Sequence, residues 1–308
     1  MKVGLILPMS DDDGRGTPSW PEIRDLARQA EAGGADSVWV YDHLVFRLDG
    51  TASGIHEAWT LLTAVAVVTE RVELGTIVLA TSFRNPALLA KMATTLDAIS
   101  GGRLILGVGC GWHEPEYTAF GFPFDHRVDR FEESLRILGP LVREGTVTFV
   151  GDYQRAEDCV ILPRGPRPRI PLLVAAKGPR MLRLTAEHAD AWNTAWFGMP
   201  DDRLAQRLAD MRSACAGAGR DPFSLEVTVG VTVKAEADEE WGRPGAPAAL
   251  LAEPGVVADA LRAYDALGVG HVQLDVQPAT PATFARVLDG IARSRAARQG
   301  TASKARRD

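Results

Sequence analysis

The chain has 308 residues, 46% of them hydrophobic, which suffices for one large core and is short for two independent ones. Its 34 basic side chains stand against 40 acidic ones, a formal charge of −6, so no global positive field exists to gather a polyanion and nucleic acid is not an expected partner. The opening MKVGLILPMS lacks a cleavage pattern and no apolar stretch reaches membrane-spanning length, so a soluble, cytoplasmic chain without a membrane partner is expected. Cys110, Cys159 and Cys215 are widely spaced and odd in number, and the histidines form no HExxH or Cys/His cluster. Neither a disulfide framework nor a metal site is expected.

Short apolar, β-branched runs start at Lys2 (KVGLILP), Ser37 (SVWVYD), Val72 (VELGTIVLA), Arg103 (RLILGVG), Ile170 (IPLLVAA), Asp190 (DAWNTA), Ser224 (SLEVTVGVTV) and His271 (HVQLDV). They read as strands buried on both faces. Segments of helical period follow them at 21–32, 58–69, 86–99, 127–143, 179–188, 203–216, 254–267 and 281–293. Pro21, Pro86, Pro179 and Pro281 sit where a first helical turn tolerates a missing N–H, and Gly33-Gly34, Gly101-Gly102 and Gly268 supply stops. Eight strand-then-helix units predict an α/β protein, a (β/α)8 TIM barrel with loop insertions. An open doubly wound sheet is the poorer reading, because no Gly-rich dinucleotide fingerprint follows the first strand. Residues 1–295 are expected to form one barrel domain and 296–308 a flexible basic tail.

Long connections at 47–57, 110–126 and 234–253 follow strands, on the side where a barrel builds its site. The segment 145–169 follows a helix instead, and TVTFVGDY within it reads as a peripheral hairpin. Strand two ends in Asp42-His43, and an imidazole there is a candidate proton donor or acceptor, against a purely structural pairing with Asp42. Hydroxyl and amide groups at 81–85 read first as helix caps. Gly107, Gly109 and Gly111 alternate after strand four, letting a flat ring approach, and Trp112 and His113 follow as candidate pocket walls. Strand five ends in Ala176-Lys177-Gly178-Pro179-Arg180, where small residues, two cations and a helix start coincide as a candidate phosphate site. Trp192 and Trp196 after strand six belong either to the mouth or to the core.

These motifs resemble the luciferase-like monooxygenase superfamily, especially its F420-dependent oxidoreductase branch. The resemblance rests on SVWVYDHL, on the long block from ERVELGTIVLATSFRNP through GRLILGVGCGWHEPEYTAFGFPFDHRVDRFEESLRIL, and on PLLVAAKGPRMLRLTAEHADAWN. It implies a barrel with hydride transfer to or from coenzyme F420, or alternatively FMN, and by family habit a homodimer acting on a small-molecule substrate. Residue by residue, it implies that His43 lies beside the reactive ring with Asp42 as its neighbour. It further implies a non-proline cis peptide at Ile77-Val78 behind the ring, and a phosphate-bearing tail near Ala176, Lys177 and Gly178. Many relatives have two glycines where this chain has Lys177-Gly178. Sugar-phosphate dehydrogenases of the family carry a glutamate near position 112 and a tryptophan near position 47, where this chain has Trp112 and Arg47. Glucose-6-phosphate is therefore not the implied substrate. Competing readings are an FMN-dependent monooxygenase, a non-catalytic flavin-binding barrel, and a Schiff-base aldolase using Lys177 or Lys234.

Overall fold

A computed structural model describes residues 1–11, 15–48, 51–237 and 248–304. Among them, eight parallel strands close into a ring: β1 (Lys2–Ile6), β2 (Ser37–Val40), β3 (Glu73–Thr76), β4 (Leu104–Gly109), β5 (Leu172–Ala175), β6 (Ala191–Phe197), β7 (Glu226–Lys234) and β8 (His271–Gln277). Neighbours in this order pair throughout, and β8 pairs with β1, so the predicted barrel is the observed one. The crossover helices are α1 (Trp20–Ala32), α2 (Ala58–Val68), α3 (Pro86–Ile99), α4 (Arg127–Arg143), α5 (Pro179–His188), α6 (Asp202–Gly217), α7 (Pro254–Ala266) and α8 (Pro281–Lys304). No helix among the described residues is long and apolar enough to cross a membrane.

Alternation along the strands divides the apolar residues between two cores. Leu5, Val38, Leu74, Leu106, Val174, Val229 and Leu274 face the helices in one continuous cluster. Ile6, Trp39, Ile77, Ile105, Leu173 and Ala191 fill the barrel interior. Trp39 is fully buried there, and Gly4 and Gly75 leave the space its indole occupies, since a methyl group at either would overlap it. The indole N–H donates to Ser37 Oγ at 2.7 Å, and Ser37 Oγ lies 2.8 Å from His271 Nε2. Burial pushes His271 down to about 3, with Lys2 and the N-terminal amine adding to the effect, so the ring is neutral and shares one hydrogen bond with Ser37.

Three departures from the expected elements have local causes. The third run breaks after Thr76 and resumes at Leu79–Ala80, where pairing passes to the far end of β4. The 47–57 connection carries an antiparallel hairpin, Phe46–Leu48 with Thr51–Ser53, and the 110–126 connection carries a short helix, Glu114–Phe120. The last helix continues past residue 293 to Lys304, through an Ala- and Arg-rich stretch of high helix propensity, so the first part of the expected tail is helical. Residues 305–308 of that tail, and 238–247 of the long connection after β7, lie outside the described residues. The 145–169 insertion holds the expected hairpin, Thr146–Val150 with Arg155–Val160.

Gly75→Ala should cost about 1–3 kcal/mol through overpacking against Trp39, and an unchanged denaturation midpoint would show that the indole is not held as described. His271 gives a pH signature. Between its ordinary 6.5 and its folded value of about 3, the unfolded chain binds a proton that the folded chain does not, so this residue's contribution makes stability fall as pH falls through that window. Denaturant midpoints measured across the window should decline less steeply in His271→Gln than in the parent.

Candidate active site

The C-terminal strand ends open on a cavity of 590 Å³. One wall is apolar: Ile6 from β1, Ile77 and Val78 from the β3 break, Ala80, and Ala175 from β5. The Ile77-Val78 peptide bond is cis, as the family resemblance implied. Gly109 ends β4 against this wall, and a Cβ there would come within 2.8 Å of Val78 Cγ2, so the absent side chain keeps the wall thin and flat. Asn193 adds a polar group to the lining and is itself held from behind. Asn193 Nδ2 donates to Thr228 Oγ1 at 2.9 Å and to Gln273 Oε1 at 3.2 Å, and Gln273 Nε2 is buried with no hydrogen-bond partner among the described residues. A cavity with apolar sides, Asn193 as a polar lining group and the Lys177 cation at its edge fits a planar heterocycle with an anionic tail. A second cavity of 390 Å³ adjoins it, the two sharing Ile6, Tyr41, Asp275 and Gln277 as walls.

His43 lines the larger cavity, and its Nδ1 sits 3.0 Å from Glu116 Oε1. The other oxygen, Oε2, accepts the Leu44 backbone N–H at 2.9 Å, so one carboxylate fixes both the ring and the chain carrying it. Glu116 is 1% exposed and comes from the short helix Glu114–Phe120. With Nδ1 donating to the carboxylate, Nε2 is the nitrogen left to exchange a proton. Phe46 packs against the ring at a tilt, 4.4 Å between centroids, and Trp112 meets it edge-on at 5.5 Å.

Asp42 does not pair with His43. Its carboxylate takes two hydrogen bonds from Arg84, at 2.6 and 3.0 Å, and one from Ala80 N–H at 2.9 Å. Burial pushes the Asp42 carboxyl up, while Arg84 and the Ala80 amide pull the other way. Arg84 also binds Glu57, the N-cap of α2, so this group braces the β2 end against the β3 break and α2. Asn85 caps α3, accepting from Ala87 and Leu88 N–H, in line with the capping reading.

The cations of the β5 loop part company. Lys177, Ala176 and Gly178 line the cavity, whereas Arg180 is paired at 2.7 Å with Asp129 and at 2.8 Å with Glu132, both on α4, and is absent from the lining. Helix α5 carries Arg180 round toward its neighbour, where two carboxylates meet it. Trp112 and Trp196 line the cavity and are 61% and 42% exposed, while Trp192 is buried with its N–H on Ala176 O. His113 and Arg47 fall outside the lining: the buried His113 ring accepts the Arg47 backbone N–H at 3.3 Å, and the Arg47 side chain faces a shallow surface depression with Glu114 and Thr118. Glu116 and Arg84 were not singled out from sequence. The only signal for Glu116 was its place one helical turn after the glycine-rich stretch, inside a connection flagged for its length.

Comparison with known proteins gives the chain's relatives. The chain is 35% identical over 243 residues to an F420-dependent glucose-6-phosphate dehydrogenase of Kineococcus radiotolerans, covering 75% of this chain and 70% of that one. It is 36% identical over 230 residues to a phthiodiolone/phenolphthiodiolone dimycocerosates ketoreductase of Mycobacterium bovis, covering 68% of this chain and 59% of that one. An F420-dependent secondary alcohol dehydrogenase in complex with an F420-acetone adduct superposes with a TM-score of 0.76 at 18% identity, over 94% of this chain and 97% of the other. A monooxygenase from Streptomyces bottropensis gives 0.74 at 24% identity, over 96% and 98%. At those identities the structural likeness concerns the fold. The luciferase-like monooxygenase family model matches residues 1–278, and the chain belongs to that family.

Proposed function

We propose that the chain is an F420-dependent oxidoreductase that moves a hydride between the deazaflavin and a small organic substrate, with His43 handling the accompanying proton. The observation that carries this reading is the His43–Glu116 pair, set in the wall of a flat, mostly apolar cavity. The F420-dependent dehydrogenases among its relatives support the choice of cofactor. Ile77, Val78 and Gly109 would hold the ring, and Ala176, Lys177 and Gly178 the start of its tail. When bound, the deazaflavin supplies a carbon that accepts or gives an electron pair as hydride.

The chain's own residues then do three things. The apolar wall keeps water from the reacting carbon. Trp112, Trp196 and Phe46 give the substrate an aromatic surface, suited to an alcohol or carbonyl compound with an apolar body. His43 Nε2 would take the substrate's hydroxyl proton in the oxidising direction and return one in the reducing direction, while the bound deazaflavin would supply the matching two-electron acceptor or donor. Glu116 is a positioning residue, holding Nδ1–H so that Nε2 presents its lone pair or proton to the substrate. The same reading gives a cytoplasmic homodimer, and sedimentation equilibrium measures the pairing.

Titrating the purified chain with F420 and with FMN tests the cofactor: saturable quenching of F420 fluorescence is expected, and tight FMN binding without a response to F420 would overturn the reading. With a turned-over substrate, His43→Ala should lower kcat by about 10²–10⁴-fold. Glu116→Gln should lower kcat by about tenfold and displace the pH profile while cofactor affinity stays within about twofold. A Glu116→Gln enzyme with the parent's pH profile would remove the positioning role.

A further inference from the structure

The adjoining cavity of 390 Å³ takes no part in the proton-transfer chemistry, yet it shares a wall with the cavity where that chemistry is placed. Its position follows from the ring order β8, β1, β2. At the junction Ile6 comes from β1, Asp275 and Gln277 from β8, and Tyr41 from the chain leaving β2. Tyr41 also faces the proton-transfer group, its ring meeting His43 edge-on at 6.3 Å between centroids. Both sides of the junction are fixed. The Tyr41 N–H donates to Met9 Sδ at 3.3 Å, its hydroxyl lies 2.8 Å from Ser10 Oγ, and Ser10 bridges to Ile55. Across from it, Gln277 Nε2 donates to Asp275 Oδ2 at 2.6 Å. An apolar chain passing between the two sides need break none of these bonds. Beyond the junction the walls include Leu7, Pro8, Leu26, Val276, Pro278 and Ala279, with Leu7, Leu26 and Val276 buried. Its charged lining residues, Arg15, Glu22 and Asp25, are all exposed.

We infer that the adjoining cavity receives the far end of an elongated substrate. The substrate is an alcohol or carbonyl compound whose reacting carbon sits at His43 and whose apolar chain runs between Tyr41 and Gln277 into the space behind. This rests on the oxidoreductase reading above. In that reading a planar ring and a substrate share 590 Å³, so a long substrate needs a way out of the main cavity. The β5 side, at Lys177 and Gly178, is given to the cofactor's tail. The β1 side lies across the ring of strands from β5 and leads to walls that suit a hydrocarbon chain. Tyr41 thus bounds the passage, and Ala279, which lines the second cavity and not the first, governs the room beyond it. Chain length is the property this pair of cavities reads.

Calorimetric binding of straight-chain secondary alcohols, from butanol to decanol, tests this without turnover. The full-length protein is saturated with reduced F420, a form that cannot oxidise an alcohol, so the heat reports binding alone. Affinity should rise about two- to fourfold per added methylene across the longer members. Ala279→Phe, which fills the second cavity, should lower the decanol-to-butanol affinity ratio by about tenfold or more. Ala279→Leu should lower it by less. This grading with side-chain size, together with an unchanged melting midpoint, separates filling from misfolding. If butanol and decanol bind alike, or if the gain with length survives Ala279→Phe, the second cavity does not hold the chain and the cofactor reading is untouched. If the protein takes up no F420, the same titration is run on the protein alone. A length-dependent gain that Ala279→Phe removes then keeps the subsite while the cofactor reading falls.

Discussion

The pairing of Leu172, Leu173 and Val174 with Leu106, Gly107 and Val108 closes the sheet, and the rest of the molecule follows from that closure. Without it the two halves of the chain would form an open sheet with exposed edges at β4 and β5. With it, the eight strand ends point to one rim, and residues far apart in sequence meet there: His43, Val78, Gly109, Lys177, Thr194 and Gln277 all border one cavity. None of these side chains has chemistry alone that would set it apart from others of its type. Their shared rim makes them a site.

Below that rim the barrel is plugged. Trp39 occupies the axis, and Ser37 and His271 satisfy one another beneath it, so the lower half is a packed interior and the upper half is available space. The plug sets the cavity's depth. Asn193, which also borders the cavity, is oriented by hydrogen bonds to Thr228 and Gln273.

The barrel was legible because each βα unit repeats the same two signals, a short run buried on both faces and a longer amphipathic segment. Site residues within strands or immediately at their ends were also legible, as for His43, Val78, Gly109 and Lys177. What sequence could not supply was direction once the chain left the strand. Lys177 and Arg180 lie three positions apart and looked equivalent, yet the carboxylates of α4 claim only Arg180. Asp42 looked like the partner of His43 because it adjoins it, but Arg84 and the Ala80 amide, some forty positions on, take up its carboxylate. The true partner, Glu116, is separated from His43 by 73 positions, a distance no local pattern spans. The break in β3 was hidden for a related reason: VELGTIVLA is apolar throughout, and nothing in that uniformity marks where its pairing changes.

Glu116 rides on the same connection as Cys110, Gly111 and Trp112, which border the cavity. The carboxylate that orients His43 and the aromatic surface offered to substrate therefore move as one piece. An insertion or deletion that enlarged the pocket at this loop would also shift the imidazole. Substrate range and proton transfer are thus linked traits in this chain, and its capacity to diversify lies instead in the loops after β1 and β8, which border the adjoining cavity and leave Glu116 untouched.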